Sequence, residues 1–228
     1  MINDDRVLYI DNHLIAVNKL PGEIVQGDKT GDVPLSEHVK QYLKERFDKP
    51  GKVFLGTIHR IDRPVSGVVL FARTSKGLAR MNEQFKTRAV KKIYVAAANG
   101  KEVPAEGILT HWITRDQKKN RSTAHSIETQ GSQHAELRYE IIGQTDKYNL
   151  FRVFPTTGRQ HQIRVQLSAI GCPIKGDVKY GARRGNRDAS IHLHAHKLLF
   201  KHPVSGDEVE ITAPPPQDPV WNDAKKYL

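Results

Sequence analysis

Residues Thr57 to Arg73 constrain the fold more than any other stretch of this chain. Charged residues crowd its first half, and an apolar run starts at Gly67. Val68 to Ala72 has the length and unbroken apolarity of a strand buried on both faces. Pro64 cannot donate to a sheet ladder, and Gly67 supplies backbone freedom. His59 to Ser66 therefore reads as a loop pinned to the edge of a buried sheet. Asp62 stands in that loop between Arg60 and Arg63. A carboxylate flanked by two guanidiniums is expected to stay ionised at neutral pH, as a nucleophile or base requires. A turn aspartate in a surface salt bridge is the plainer alternative.

The frame around this stretch reads as alternating short elements. Val7 to Ile10 and Leu14 to Leu20 form a hairpin about a polar turn. A helix starts near Pro34, with Leu35, Val39, Tyr42, Leu43 and Phe47 on one face, and Lys49 to Lys52 breaks it. Val53 to Ile58 is a strand feeding the central loop. Thr74 and Ser75 cap a helix running to about Arg88, whose apolar face is Leu78, Met81 and Phe85. Lys91 to Ala98 is a strand ended by Asn99-Gly100, and it carries Tyr94. Ile108 to Ile113, residues 134–143 and Leu150 to Phe154 are further strands, the last two paired antiparallel. The basic segment Arg115 to Arg121 is either a solvated hairpin tip or a phosphate-gripping arm. Thr156 to Gly158 caps a helix with Ile163, Leu167 and Ile170 on its buried face and Gly171 past its end. Arg159, His161 and Arg164 cluster in its first two turns, where cations oppose the helix dipole, so an anion is expected nearby. Ile191 to Phe200 is a long strand, Glu208 to Thr212 returns from it, and Val220, Trp221, Ala224 and Leu228 suit a short closing helix. The sum is one α+β domain over residues 1–228, with a mixed, mostly antiparallel central sheet flanked by helices.

Composition narrows the function. The 228 residues carry a formal net charge of +11, spread along the chain and not gathered in a tail. A folded domain with a basic face implies a polyanionic partner, most often nucleic acid. No apolar stretch approaches the roughly 20 residues of a spanning helix, and the single cysteine, Cys172, forbids an internal disulfide. A cytoplasmic protein with no membrane association is expected. No Walker-type or dinucleotide-type glycine loop and no Gly-x-Ser-x-Gly occurs, so no nucleotide cofactor is expected. His192, His194 and His196 share one strand face at a spacing that can bind zinc. No acidic residue or cysteine cluster stands in register beside them, so packing and hydrogen bonding are the favoured reading and no metal is assigned. A glycosidase built on Asp62 lacks a second carboxylate as acid partner.

Three polar, basic stretches set in apolar frames carry a family resemblance that covers nearly the whole chain in order. His59-Arg60-Ile61-Asp62-Arg63-Pro64-Val65-Ser66-Gly67 resembles the His-Arg-Leu-Asp-Arg-x-Thr-Ser-Gly motif of RluA-type pseudouridine synthases. Lys91-Lys92-Ile93-Tyr94 resembles that family's Lys-x-Tyr strand. Gly158 to Arg164 resembles its Gly-Arg-x-His-Gln-Ile-Arg segment, and Pro173 to Asp177 with Tyr180 continues it. The strand from His192 resembles the family's late strand, which accounts for the histidines without a metal. Ile61 and Val65 replace the commoner Leu and Thr.

The resemblance implies isomerisation of a uridine within RNA, ribosomal or transfer, to its C-glycoside, with no cofactor and no metal. Asp62 would be the essential carboxylate, attacking the ribose C1′ or removing a sugar proton. Arg164 would pair with it. Tyr94 would stack on the uracil and assist proton transfer from C5, and Ile163 would pack on the base's other side. Arg60 would fill the space the flipped base vacates, with His59, Arg159 and His161 among the residues contacting RNA. Many relatives carry an N-terminal RNA-binding domain for which this sequence shows no room, so recognition is expected to rest on the catalytic domain, acting as a monomer without a protein partner. A non-catalytic RNA-binding protein on the same scaffold is the alternative, though binding alone has no need of Asp62, Tyr94 and Arg164 together.

Overall fold

The computed structural model describes residues 2–28, 30–100 and 102–228. In chain order the strands are β1 (Val7–Ile10), β2 (Leu14–Lys19), β3 (Gly56–Thr57), β4 (Ser66–Ala72), β5 (Lys91–Ala98), β6 (Glu106–Asp116), β7 (Arg121–His125), β8 (Gln133–Gln144), β9 (Asn149–Pro155), β10 (Leu193–Lys201) and β11 (Glu208–Thr212). The helices are α1 (Leu35–Arg46), α2 (Ser75–Lys86), α3 (Gln162–Ala169) and α4 (Pro219–Ala224). The class is α+β, as expected. The chain gathers into two compact units, Met1–Lys91 with Ala195–Pro215 and Lys92–His194 with Pro216–Leu228.

In the first unit the strands run β1-β2-β4-β10, with β11 on β10 and β3 on β4. The β1–β2 hairpin forms as expected because Asp11 closes it: its Oδ1 accepts from the backbone N–H of both His13 and Leu14 at 2.7 Å. All seven residues of β4 are buried, and β2 pairs with it antiparallel from Leu14↔Ala72 to Lys19↔Gly67. The strand expected over Val53 to Ile58 shrinks to the two residues of β3, which pair with Ala72 and Phe71. One residue further along β4, the Leu70 N–H donates to His59 Nε2 at 3.0 Å, so a side chain takes over where backbone pairing stops. Helix α1 buries Leu35, Val39 and Leu43. Phe47 does not join that face: it is 44% exposed and lies beneath the Arg73 guanidinium. Thr74 caps α2 by accepting from the Gly77 N–H at 3.1 Å.

In the second unit the order is β5-β9-β8-β6-β7, with every neighbouring pair antiparallel. Strand β6 is longer than expected, and β7 does not follow from the sequence pattern at all. Together they make Gln117 to Asn120 a tight hairpin tip, so Arg115 and Arg121 sit in paired strands and not in a loop. Helix α4 is capped by Asp218, whose Oδ1 accepts from Val220 N–H and Trp221 N–H. It buries Trp221 and Ala224 against Val95, Ala97 and Leu150.

Gly67 has φ +121, and a Cβ there would overlap the Ala195 backbone of β10. Gly67→Ala is expected to lower unfolding free energy by about 3 kcal/mol or more, through backbone strain and steric overlap together. At Gly51 a Cβ meets open space, and Gly51→Ala is expected to stay within about 0.5 kcal/mol. Urea unfolding of the two variants checks the contrast.

Candidate active site

The residues singled out by sequence fall in two groups, one in each unit. His59, Arg60 and Asp62 share the loop before β4. Tyr94 lies on β5, and Arg159, His161, Ile163 and Arg164 lie in the loop and first turn leading into α3.

The Asp62 loop is built on Lys19, a residue that no sequence motif singles out. Lys19 ends β2, is fully buried, and donates from Nζ to the carbonyls of Leu20 (3.0 Å), Arg63 (3.0 Å) and Val65 (2.6 Å). The Gly22 N–H also donates to the Arg63 carbonyl at 2.8 Å, and the Val65 N–H to the Asp62 carbonyl at 3.0 Å. The backbone that follows Asp62 is thus held from beneath, with Ile61 and Val65 buried as apolar anchors on either side. Burial pushes the Lys19 ammonium down to about 7, while the Glu23 and Asp62 carboxylates pull it back up. The one sequence clue is a lysine closing a strand of otherwise mostly apolar residues.

The guanidiniums flanking Asp62 in sequence behave differently from expectation. Arg63 turns to Asp32, Nη2 to Oδ2 at 2.7 Å, with both side chains about half exposed. Arg60 is exposed. The positive neighbour beneath the loop comes instead from Lys19 in β2. His59 stacks on Phe85 of α2, ring centroids 5.0 Å apart.

In the second unit, Gln162 organises the entry to α3. Its Oε1 accepts from Thr157 Oγ1 (2.8 Å) and Arg159 N–H (2.9 Å), and its Nε2 donates to the Glu136 carbonyl (3.0 Å). The loop therefore precedes the helix, and Arg159 and His161 lie outside it. Arg159 Nε donates to the His134 carbonyl at 2.9 Å. His161 takes the left-handed conformation, φ 55, and its Nδ1 meets the Tyr180 hydroxyl at 2.7 Å. That hydroxyl also accepts from the Ser122 N–H at 2.8 Å. Burial pushes the Tyr180 phenol up, so it stays neutral near pH 7. All six residues from Gln162 to Leu167 are buried, Ile163 and Arg164 included. An anion does stand near the first turn of α3, Asp177: Arg164 Nε and Nη2 donate to its Oδ2 and Oδ1 at 2.7 and 2.9 Å. Tyr94 is partly buried on β5, its backbone opposite Val153 of β9.

The basic hairpin tip is tied down. Asn120 accepts from Gln160 Nε2 through Oδ1 (2.6 Å) and from Lys179 Nζ through its carbonyl (3.0 Å). The three histidines go separate ways. His192 stacks on Trp221 with Nε2 3.1 Å from Asp218, an acidic partner that comes from the cap of α4 and so is invisible in the strand's own register. His194 also packs on Trp221, and His196 Nδ1 lies 3.1 Å from the Ala213 carbonyl. Among the described residues no group of three His, Cys, Asp or Glu side chains could hold a metal ion, and no helix is long and apolar enough to cross a membrane.

A family model described as RNA pseudouridylate synthase matches residues 13–169. The tRNA pseudouridine synthase C of Haemophilus influenzae is 32% identical over 223 residues, covering 91% of this chain and 91% of the relative. The ribosomal large subunit pseudouridine synthase C of Buchnera aphidicola is 32% identical over 219 residues, covering 92% of this chain and 67% of the relative. The chain spans 58% of the length of the tRNA pseudouridine synthase C of Pectobacterium carotovorum, at 31% identity. The solved structure of human RNA Pseudouridylate Synthase Domain Containing 4 shares the fold, with a TM-score of 0.79 at 24% identity over 95% of this chain and 91% of that one.

Lys19→Met removes a donor from three carbonyls, leaving the buried Val65 carbonyl without its Nζ contact while Arg63 keeps the Gly22 N–H, and is expected to cost roughly 2–4 kcal/mol of stability at pH 7. The folded protein holds this lysine's pKa below its unfolded value of 10.5, so the unfolded chain binds the extra proton between about 7 and that value. Wild-type stability from this group therefore rises with pH across the window. The gap between wild type and Lys19→Met should widen from pH 7 to pH 10, as read by urea unfolding at both.

Proposed function

Because the chain belongs to the RNA pseudouridylate synthase family, we propose that it isomerises uridines in structured RNA to pseudouridine, with Asp62 as the essential carboxylate. The observation that carries this reading is that the family match, residues 13–169, contains Asp62, Tyr94 and Arg164, with the Asp62 loop clamped from below by Lys19. Binding alone gives no reason to fix the backbone beside one partly exposed carboxylate so firmly. Both units, residues 1–228, make one catalytic domain in this reading.

The reaction breaks the N1–C1′ bond and forms a C5–C1′ bond. The C5 proton leaves and N1 ends protonated, so substrate and product are isomers. The exchange is redox-neutral and needs no electron acceptor, and the reading assigns no metal or cofactor. Asp62 acts on the ribose, at C1′ or by taking a sugar proton, and either route needs an ionised and positioned carboxylate. Arg164 is the catalytic cation of this reading. Tyr94 stacks on the uracil and assists proton transfer from C5, and Ile163 packs on the base's other face. Extruding the base costs a few kcal/mol of stacking, and Arg60, exposed and planar, fills the gap. His59 supports the loop through β4 and α2, and Arg159 and His161 shape the entry to α3 beside the RNA.

The net charge of +11 supplies the sequence-independent grip on phosphates, with the 115–121 hairpin as one contact. Relatives named for tRNA and for the large ribosomal subunit support one of those RNAs as substrate. A monomer acting alone in the cytoplasm completes the proposal.

Purified protein incubated with RNA from a strain lacking this enzyme is expected to install pseudouridine at discrete positions, read by site-specific pseudouridine sequencing. Asp62→Asn should lower the rate at least about 10²-fold while leaving RNA affinity within about twofold. RNA binding with no new pseudouridine from wild type would move the chain to the class of non-catalytic RNA-binding proteins. Tyr94→Phe keeps the stacking face and loses the hydroxyl, so its rate separates the two roles given to Tyr94.

A further inference from the structure

Arg164 is held from two directions by side chains that no part of the reaction scheme uses. In its plane, Asp177 makes a two-point contact with the Nε–Nη2 edge, and the two side chains are 5% and 1% exposed. Across its face lies the Tyr180 ring, with the guanidinium carbon 5.0 Å from the ring centroid. Neither support is loose. The Asp177 N–H donates to the Ile174 carbonyl at 3.0 Å, and the Asp177 carbonyl accepts from the N–H groups of Tyr180 and Ala182, each at 3.0 Å. Gly176, just before it, has φ +86, and a Cβ there would crowd Asn186 and the Ser190 carbonyl. The Tyr180 hydroxyl is fixed in turn between the Ser122 N–H and His161 Nδ1.

An isolated buried ion pair contributes little net stability, because removing two charges from water costs about what their attraction returns. Stability therefore does not explain this pair. Geometry does. A guanidinium carries five N–H donors in a rigid fork, and Asp177 engages only one edge of it. Fixing that edge fixes the direction of every other N–H, as a group acting on a second anion requires.

We propose that Asp177 is a positioning residue for the isomerase reaction: by clamping the Nε–Nη2 edge of Arg164, with Tyr180 as a backing plate, it sets the orientation of the Arg164 guanidinium. This rests on the reading of Asp62 and Arg164 given above. Asp177 does not touch the RNA and acts only through Arg164.

The test compares Asp177→Asn, Asp177→Glu and Arg164→Lys with the double variant Arg164→Lys/Asp177→Asn, each first shown to be folded by its unfolding transition. Single-turnover rates on the modified RNA are measured beside RNA dissociation constants. Asp177→Asn is expected to slow the chemical step about 10²-fold, the cost of a misplaced catalytic group, with the dissociation constant within about twofold. Asp177→Glu should recover part of the rate. In the Arg164→Lys background, Asp177→Asn should add less than about threefold, because the group it positions has gone. A full 10²-fold further loss there, or a single-variant rate within twofold of wild type, overturns the proposal.

A second readout needs no activity. The Arg164 Nε–H resonance in nitrogen-selective NMR should exchange slowly with solvent in wild type and Asp177→Glu, and rapidly in Asp177→Asn. Unchanged exchange in Asp177→Asn refutes the clamp even if wild type turns out to isomerise nothing, and that last outcome refutes the functional reading separately. If Asp177→Asn fails to fold, Asp177→Ser and Tyr180→Leu carry both readouts. Equal rates and equal exchange in wild type and these two overturn the proposal.

Discussion

The first unit depends on one buried lysine. Lys19 lies at the end of β2 with no solvent exposure, and its ammonium is satisfied by three backbone carbonyls, two of them, Arg63 and Val65, just past Asp62. A buried cation without such partners would be prohibitively costly. The need to satisfy it dictates the path of the chain from Asp62 to Val65, and Gly67 then lets β4 run close to Ala195. The result is a loop that is rigid for electrostatic reasons, placed at the end of a fully buried strand.

The second unit solves a similar problem differently. Its helix α3 is short and buries polar residues alongside apolar ones. Most of their polar atoms are matched: Gln162 by Thr157, Arg159 and Glu136, Arg164 by Asp177, and Gln166 Nε2 by the carbonyls of Leu109 and Ala135, while Gln166 Oε1 has no hydrogen-bond partner among the described residues. A helix this polar cannot hold its place by hydrophobic burial alone. Its position comes from directional bonds, which specify orientation more sharply than apolar contact does.

Strands with strong periodic or continuous apolar patterns are legible in the sequence. The β1–β2 hairpin, β4, β5, β8, β9 and the β10–β11 return all stand where their patterns place them, because burial on one or both faces writes a period of two or an unbroken apolar run. The expectations that miss share a cause. Arg121 to His125 is too polar to show a period, and it becomes β7 only because β6 offers it a register. Val53 to Ile58 is apolar enough for a strand, but His59 takes the amide that its continuation would have needed. Phe47 fits the spacing of α1, yet that helix has already ended, and a cation covers the ring instead.

The sequence by itself determined the class, the expectation of a polyanionic partner and the three basic motifs, because these rest on composition, periodicity and short contiguous spacing. It also foretold that Arg164, set against the dipole of α3, would have an anion beside it. Which anion was decided by the tertiary structure, since Asp177 is thirteen residues away in sequence and comes into range only through the turn after the Ala98–Ile174 bridge. The same holds for Lys19 beneath the Asp62 loop and for Asp218 beside His192, each separated from its partner by tens of residues. Local pattern reports what a residue needs in order to be buried. Only the folded chain decides which distant group meets that need, because pairing at long range follows from the register of the strands and not from spacing along the chain.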